Sequence, residues 1–227
     1  MSAERFVLFG ADHLAGLGAA LVASVVLSLW LRHASPRTAR RIRIGLAACL
    51  LLGTAAYLLV EALAGTLSPR DFLPLHLCDL AVFVAAWALL RRTAIAYELL
   101  YFWGLTGTLL ALGTPAVWYG FPDWRCMSFF ALHGSVVASA AALTLGCGMR
   151  PRPGAPLRVL LWTNAYAAVV AVLNLLFDTN YLFLRGKPDT PTLLDAFGPW
   201  PWYILTCEAV ALVLFLLLDL PFRIGRR

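Results

Sequence analysis

Seven apolar runs, at 13–32, 43–64, 74–90, 95–118, 127–148, 157–177 and 200–221, leave this chain few ways to fold. Each is close to the roughly 20 residues a helix needs to cross the hydrocarbon core of a bilayer. Backbone polar groups in that core must bond to one another, and a helix does so within its own segment. The runs therefore predict an all-α bundle of seven transmembrane helices, forming a single membrane domain over 1–227. Composition agrees. Of 227 residues, 61% are hydrophobic and 13% charged, against roughly 25% charged in a soluble domain.

The loops orient the bundle. With the amino terminus outside and the carboxyl terminus in the cytoplasm, 13 of the 18 Lys and Arg residues fall on the inner side. They are Arg32, Arg37, Arg40, Arg41 and Arg43; Arg91 and Arg92; Arg150, Arg152 and Arg158; and Arg223, Arg226 and Arg227. This is the positive-inside pattern, and it needs seven spans. The outer side keeps Arg5, Arg70, Arg125, Arg185 and Lys187. Acidic residues are biased the other way: Glu4, Asp71 and Asp189 are among those outside, and only Glu98 and Asp219 lie near the inner face. Topology thus explains the net charge of +6 without nucleic acid, and the expected partners are membrane lipids. The preference for Arg over Lys, with abundant Ala, suggests a GC-rich bacterial genome and hence the bacterial cytoplasmic membrane. The first run is not a cleaved signal peptide, because its basic residues follow the apolar stretch. The five cysteines form no CxxC pair, and all but Cys126 sit in or beside apolar runs, so no disulfide framework is expected.

Ionisable groups inside a bilayer are costly and face a bundle interior or a wet cavity. Glu61, Asp79, His133, Asn174 and Glu208 predict one polar pocket opening outward; a polar network tying helices together is the plainer alternative. His13 and His76 also map outward. The sharpest local feature is Leu73-Pro-Leu-His76-Leu-Cys78-Asp79. Pro74 as the first helical residue would place Cys78 about one turn inside the third helix. His76 and Asp79 share a face, but His76 and Cys78, two apart, do not. A base for Cys78 must come from another helix, and His133 and His13 are the candidates. Cys78 and His133 are the expected nucleophile–base pair. No HxxxH or CxxC spacing organises a metal site, and neither metal nor cofactor is expected. Phe9-Gly-Ala-Asp-His13 echoes Phe129-Phe-Ala-Leu-His133, and Cys78-Asp79 echoes Cys207-Glu208. These echoes suggest helices 1–3 and 5–7 as parallel repeats around helix 4.

Four elements together resemble the YwaF-like bacterial integral membrane proteins: Phe9-Gly10 with His13; Leu-Pro-Leu-His-Leu-Cys at 73–78; Ala131-Leu-His133-Gly; and Asp178-Thr-Asn180-Tyr…Lys187-Pro…Gly198-Pro-Trp-Pro-Trp-Tyr203. The likeness spans nearly the whole chain. The chain is also distantly similar to a vertebrate multi-pass family that moves polyunsaturated acyl chains onto ether lysophospholipids with a cysteine and a histidine. That resemblance implies Cys78 as nucleophile and His133 as its partner. In an acyl-transfer reading Asn174, Asp178 or Glu208 would orient the histidine, with Asn180 in the motif beside the pocket. Three functions stay open from the residues themselves: a Cys/His acyltransferase or acyl-ester hydrolase; a transporter or small-molecule binder using Glu61, Asp79 and Glu208; and a structural or sensory protein with no turnover.

Overall fold

A computed structural model describes residues 5–66, 73–115, 117–188 and 193–224. Glu4, Arg70, Asp71, Asp189, Pro191, Arg226 and Arg227 lie outside the described residues. Seven helices follow one another: α1 Ala11–His33, α2 Pro36–Leu63, α3 Leu77–Arg91, α4 Ala94–Gly113, α5 Trp124–Gly146, α6 Ala155–Phe177 and α7 Trp202–Ile224. Gly104–Thr108 of α4 and Ala142–Gly146 of α5 are π-helical turns. Among the described residues there is no strand, only an isolated bridge between Arg5 and Tyr119.

Six of the seven helices are long and apolar enough to cross a membrane. The exception is α3. Its 15 residues extend about 22 Å, short of a hydrocarbon core of about 30 Å. This shortest helix lies at the centre. Ala81, Val82, Val84, Ala85, Ala86, Ala88 and Leu89 of α3 are buried, as are Tyr97, Leu100, Phe102 and Trp103 of α4. The alanines let α3 and α4 approach closely, as small residues do between membrane helices. Around this pair, α1 lies along α5, α2 packs on α3 and α5, and α6 touches α4 and carries α7. The outer helices present leucine and valine to the surroundings, among them Leu21, Val22, Leu161, Leu175, Leu205 and Val213.

Glycine sets the α1–α5 contact. A Cβ on Gly146 would stand 2.8 Å from the Ser28 carbonyl oxygen and 2.8 Å from Leu31 Cβ, and one on Gly134 would stand 3.1 Å from Ala20 Cβ.

The arginine-rich end is tied by carboxylates. Glu98, fully buried, accepts from Arg152 Nε (2.8 Å), Nη2 (2.9 Å) and backbone N–H (3.0 Å). It also accepts from Arg158 Nε (3.0 Å) and Nη2 (3.1 Å). Arg223 donates through Nε to Asp219 (2.7 Å) and through Nη2 to the Arg152 carbonyl (2.9 Å). One cluster thus joins α4, the 150s loop, α6 and α7.

Three of the helix ends that differ from the apolar runs have plain local causes or consequences. Helix α2 begins at Pro36, seven residues before 43, because Ser35 caps it by accepting from the Thr38 N–H (3.2 Å). Arg37, Arg40 and Arg41 therefore ride on its first turns. Helix α4 stops at Gly113 rather than 118, since Pro115 disfavours helical backbone at Thr114 (φ −136°, ψ 69°). Helix α3 begins at Leu77, so Pro74 is not its first residue and Cys78 is its second.

Candidate functional site

The late start of α3 creates the site. Because α3 begins only at Leu77, its leading N–H groups and the segment before it need partners other than the helix ladder. Side chains of α6 and of the α6–α7 loop supply them to that segment. The Leu73 N–H donates to the Tyr181 hydroxyl (3.0 Å), and the Tyr166 hydroxyl donates to the Leu75 carbonyl (2.9 Å). His76 occupies the N-cap position, its ring 5.4 Å from Tyr181 and 5.2 Å from Phe183. Asp79, three residues on, lies against the His76 backbone and ring. The first intrahelical bond runs from Leu80 N–H to the His76 carbonyl (3.0 Å). The N–H groups of Leu77, Cys78 and Asp79 therefore precede the α3 ladder.

A cavity of about 400 Å³ opens at this point. His76, Cys78 and Asp79 line it from α3, Thr54 and Tyr57 from α2, Arg125 and His133 from α5, and Trp118 and Tyr119 from the α4–α5 loop. Cys78 and His133, 55 residues apart in sequence, thus face one chamber. The thiol and the imidazole share it without a direct hydrogen bond. His133 Nδ1 meets the Phe129 carbonyl at 2.9 Å, and the two rings stack at 4.0 Å. A carbonyl can only accept, so Nδ1 carries the proton, and Nε2 of the neutral ring keeps a lone pair. Among the described residues, His, Cys, Asp and Glu do not gather in a group of three that could hold a metal ion.

The other residues singled out in the sequence are placed differently. His13 is fully buried outside the cavity. Its Nδ1 accepts from the Phe9 N–H (2.9 Å), so Nε2 is the protonated nitrogen and donates to the Leu112 carbonyl (2.8 Å). With Phe6, Phe9 and Phe130 around the ring, it has no lone pair to offer Cys78. Glu61 does not line the cavity; it holds Arg125, accepting from Nε at 2.6 Å. Asn174, Asp178 and Asn180 do not reach His133. Asn174 is fully buried and accepts from Thr179 Oγ1 (2.8 Å) and the Tyr181 N–H (2.8 Å), while donating to the Tyr181 carbonyl (2.9 Å). Arg185 bridges to Asp178 (2.8 Å), and Asn180 donates to the Gly186 carbonyl (2.9 Å). Together they fold the loop that carries Tyr181 to Leu73. Glu208 accepts from Asn164 Nδ2 (2.7 Å) between α7 and α6, away from the cavity. The chamber is thus built from α2, α3, α5 and the α4–α5 loop; α1, α6 and α7, expected to converge on it, support it from outside. Tyr57, Arg125, Tyr166 and Tyr181 are the contributors that sequence reasoning passed over. Only Tyr181 had a signal, as the last residue of Asp178-Thr-Asn-Tyr181.

The profile of the TMEM164 family matches residues 8–219. An uncharacterized protein of Treponema pallidum (strain Nichols) is 30% identical over 226 residues, spanning 96% of this chain and 90% of that protein. No solved structure matches the chain. With a family match across almost its full length and a multi-pass helical bundle, this chain belongs to the TMEM164 family.

Proposed function

We propose that the protein is a membrane lipid acyltransferase or acyl-ester hydrolase in which Cys78 is the nucleophile and His133 the general base. The observation that carries this is the single chamber shared by Cys78, on the first turn of α3, and the lone-pair nitrogen of His133, on α5. The chamber, about 400 Å³ and lined by polar side chains, has room for a water that would relay the thiol proton to Nε2 where the two groups do not touch. The thiolate attacks an ester carbonyl carbon. The tetrahedral oxyanion lies near the leading N–H groups of α3, whose helix dipole favours negative charge. Collapse breaks the acyl C–O bond, the imidazolium protonates the departing alkoxide, and a thioester remains on Cys78. An acceptor hydroxyl, of a lysolipid or of water, then gives its proton to His133 and attacks the thioester, restoring the thiol.

Orientation is part of the same reading. The arginine-rich end lies in the cytoplasm and the cavity opens toward the outer leaflet of a bacterial cytoplasmic membrane, consistent with the motif likeness to YwaF-like proteins. Helices 1–3 and 5–7 flank α4 as repeats. A transport function has less support: of Glu61, Asp79 and Glu208, only Asp79 lines the cavity.

The test is a phosphate-free lipid-ester probe applied to membranes, with mass spectrometry of the labelled protein. A thioester on Cys78 is expected. It should be absent in Cys78→Ala and form about 100-fold more slowly or less in His133→Gln, the scale of a lost general base. Labelling that survives Cys78→Ala ends the proposal.

A further inference from the structure

We infer that Arg125, clamped by Glu61, is an anion subsite that holds the phosphodiester of a glycerophospholipid above Cys78; this deepens the acyl-transfer reading and rests on it for the ester that reacts. Arg125 Nε donates to Glu61 Oε1 at 2.6 Å and Nη2 to Oε2 at 3.3 Å. This two-point contact fixes the plane of the guanidinium. It commits one edge only. Nη1 has no hydrogen-bond partner among the described residues, and the side chain stays 42% exposed while that of Glu61 is 8% exposed. Glu61 is held in turn by the Thr66 hydroxyl. The Trp124 ring lies 5.2 Å from the Arg125 guanidinium carbon, and Tyr57 lies 5.3 Å from Trp124. The result is a rigid cation with an open edge on the cavity.

The neighbouring charges leave that edge available. Asp123 lines the same wall, but its Oδ1 accepts from the Arg125 and Cys126 backbone N–H groups (2.9 and 3.4 Å) as the cap of α5. Asp79 is turned to His76. The α5 amino terminus adds positive potential at Arg125. Depth argues for a lipid phosphate over a free anion. Arg125 sits in the first turn of α5 beside Trp118, Tyr119 and Trp124, residues of the kind that settle at the membrane–water interface. His133 lies eight residues, about 12 Å, further along the helix. In a glycerophospholipid the phosphate is at the surface and the ester carbonyls lie below it, the same order as Arg125 above the chamber floor.

The experiment uses full-length Cys78→Ala protein in detergent, so that binding is read without turnover, by quenching of tryptophan fluorescence. The probes are a lysophospholipid, the monoacylglycerol with the same chain, and inorganic phosphate. We expect the lysophospholipid to bind roughly 10- to 100-fold tighter than the monoacylglycerol, the scale of hydrogen bonds to a charged group. Adding Glu61→Gln with Arg125→Gln, which leaves no orphan charge, should abolish that preference without changing monoacylglycerol binding. Arg125→Lys should keep part of it. A preference that survives the double change overturns the subsite, and so does inorganic phosphate binding as tightly as the lysophospholipid. The phosphate-free probe separates the two ideas. If Cys78 is labelled but the preference is missing, only the subsite falls. If the preference is present but Cys78 is never labelled, the subsite stands without the acyl-transfer reading.

Discussion

His13 and His133 sit near the same end of the bundle as opposite tautomers, and the difference decides which can do chemistry. Each has one nitrogen fixed by backbone, His13 Nδ1 by a donor and His133 Nδ1 by an acceptor. Of these two, only His133 both lines the cavity and keeps an unprotonated nitrogen with no protein donor. The thiol depends on a second pair of residues: Tyr166 and Tyr181 hold the backbone at Leu75 and Leu73 just before α3. Changing either to Phe should cost about 1 kcal/mol, the net worth of a hydrogen bond. The Tyr166→Phe/Tyr181→Phe protein should fold yet lose several-fold in the rate of Cys78 labelling, measured beside its thermal midpoint. An unchanged rate would show that this segment does not position the thiol. That Cys78 and His133 line one cavity was legible because both lie in short motifs beside apolar runs; their pairing in chemistry is what the labelling experiment tests. The two tyrosines were not legible, because their role comes from α6, which carries Tyr166, and from the loop after it, which carries Tyr181, each meeting the segment before α3 across more than 90 residues in a contact that no local pattern encodes. Asn174, Asp178 and Asn180, expected at the pocket, are bonded within that loop instead of to the histidine.

Among the elements, α3 departs furthest from a uniform span, and the site follows from that departure. Its apolar run looked nearly long enough, because Pro74 and Leu75 extend the hydrophobicity without extending the helix. The six longer helices were recovered to within several residues, as expected when length and hydrophobicity fix an element. Their true ends came from caps, Ser35 and Asp123, and from Pro115, which are finer signals than apolarity. How the helices pair was not legible in the runs. It depends on single small residues, and Gly146 tests the point. Its position leaves no room for a Cβ against the Ser28 carbonyl and Leu31. Gly146→Ala should push α1 from α5 and lower stability by about 1–3 kcal/mol, the usual cost of overpacking. The same change at Gly18, with nothing within 4 Å of its Cβ position, should be nearly neutral. Equal thermal midpoints for the two variants would remove glycine packing as the basis of the α1–α5 contact.

For the molecule as a whole, charge separates the two ends and gives each a different task. The basic end is an internal lock as well as a topological signal: Glu98 draws two arginines inward and Arg223 reaches the same loop. Glu98→Gln would leave both guanidiniums without their anion. Breaking a sealed ion pair costs about 3–5 kcal/mol; with Arg152 and Arg158 still reaching water, about 2 kcal/mol is expected, read as a lower unfolding midpoint in lipid discs. Adding Arg152→Gln and Arg158→Gln should recover much of the loss. Among the described residues Arg32, Arg37, Arg40, Arg41, Arg91, Arg92 and Arg150 bind no carboxylate, and the proposed orientation places them in the cytoplasm by the positive-inside rule. That orientation puts Tyr119 outside and Pro151 inside. On a background without native cysteines, a membrane-impermeant maleimide should label Tyr119→Cys in intact cells and Pro151→Cys only after permeabilisation. The reverse pattern would turn the cavity toward the cytoplasm, and the lipid it draws on would then come from the inner leaflet, with the geometry of Cys78, His133 and Arg125 unchanged.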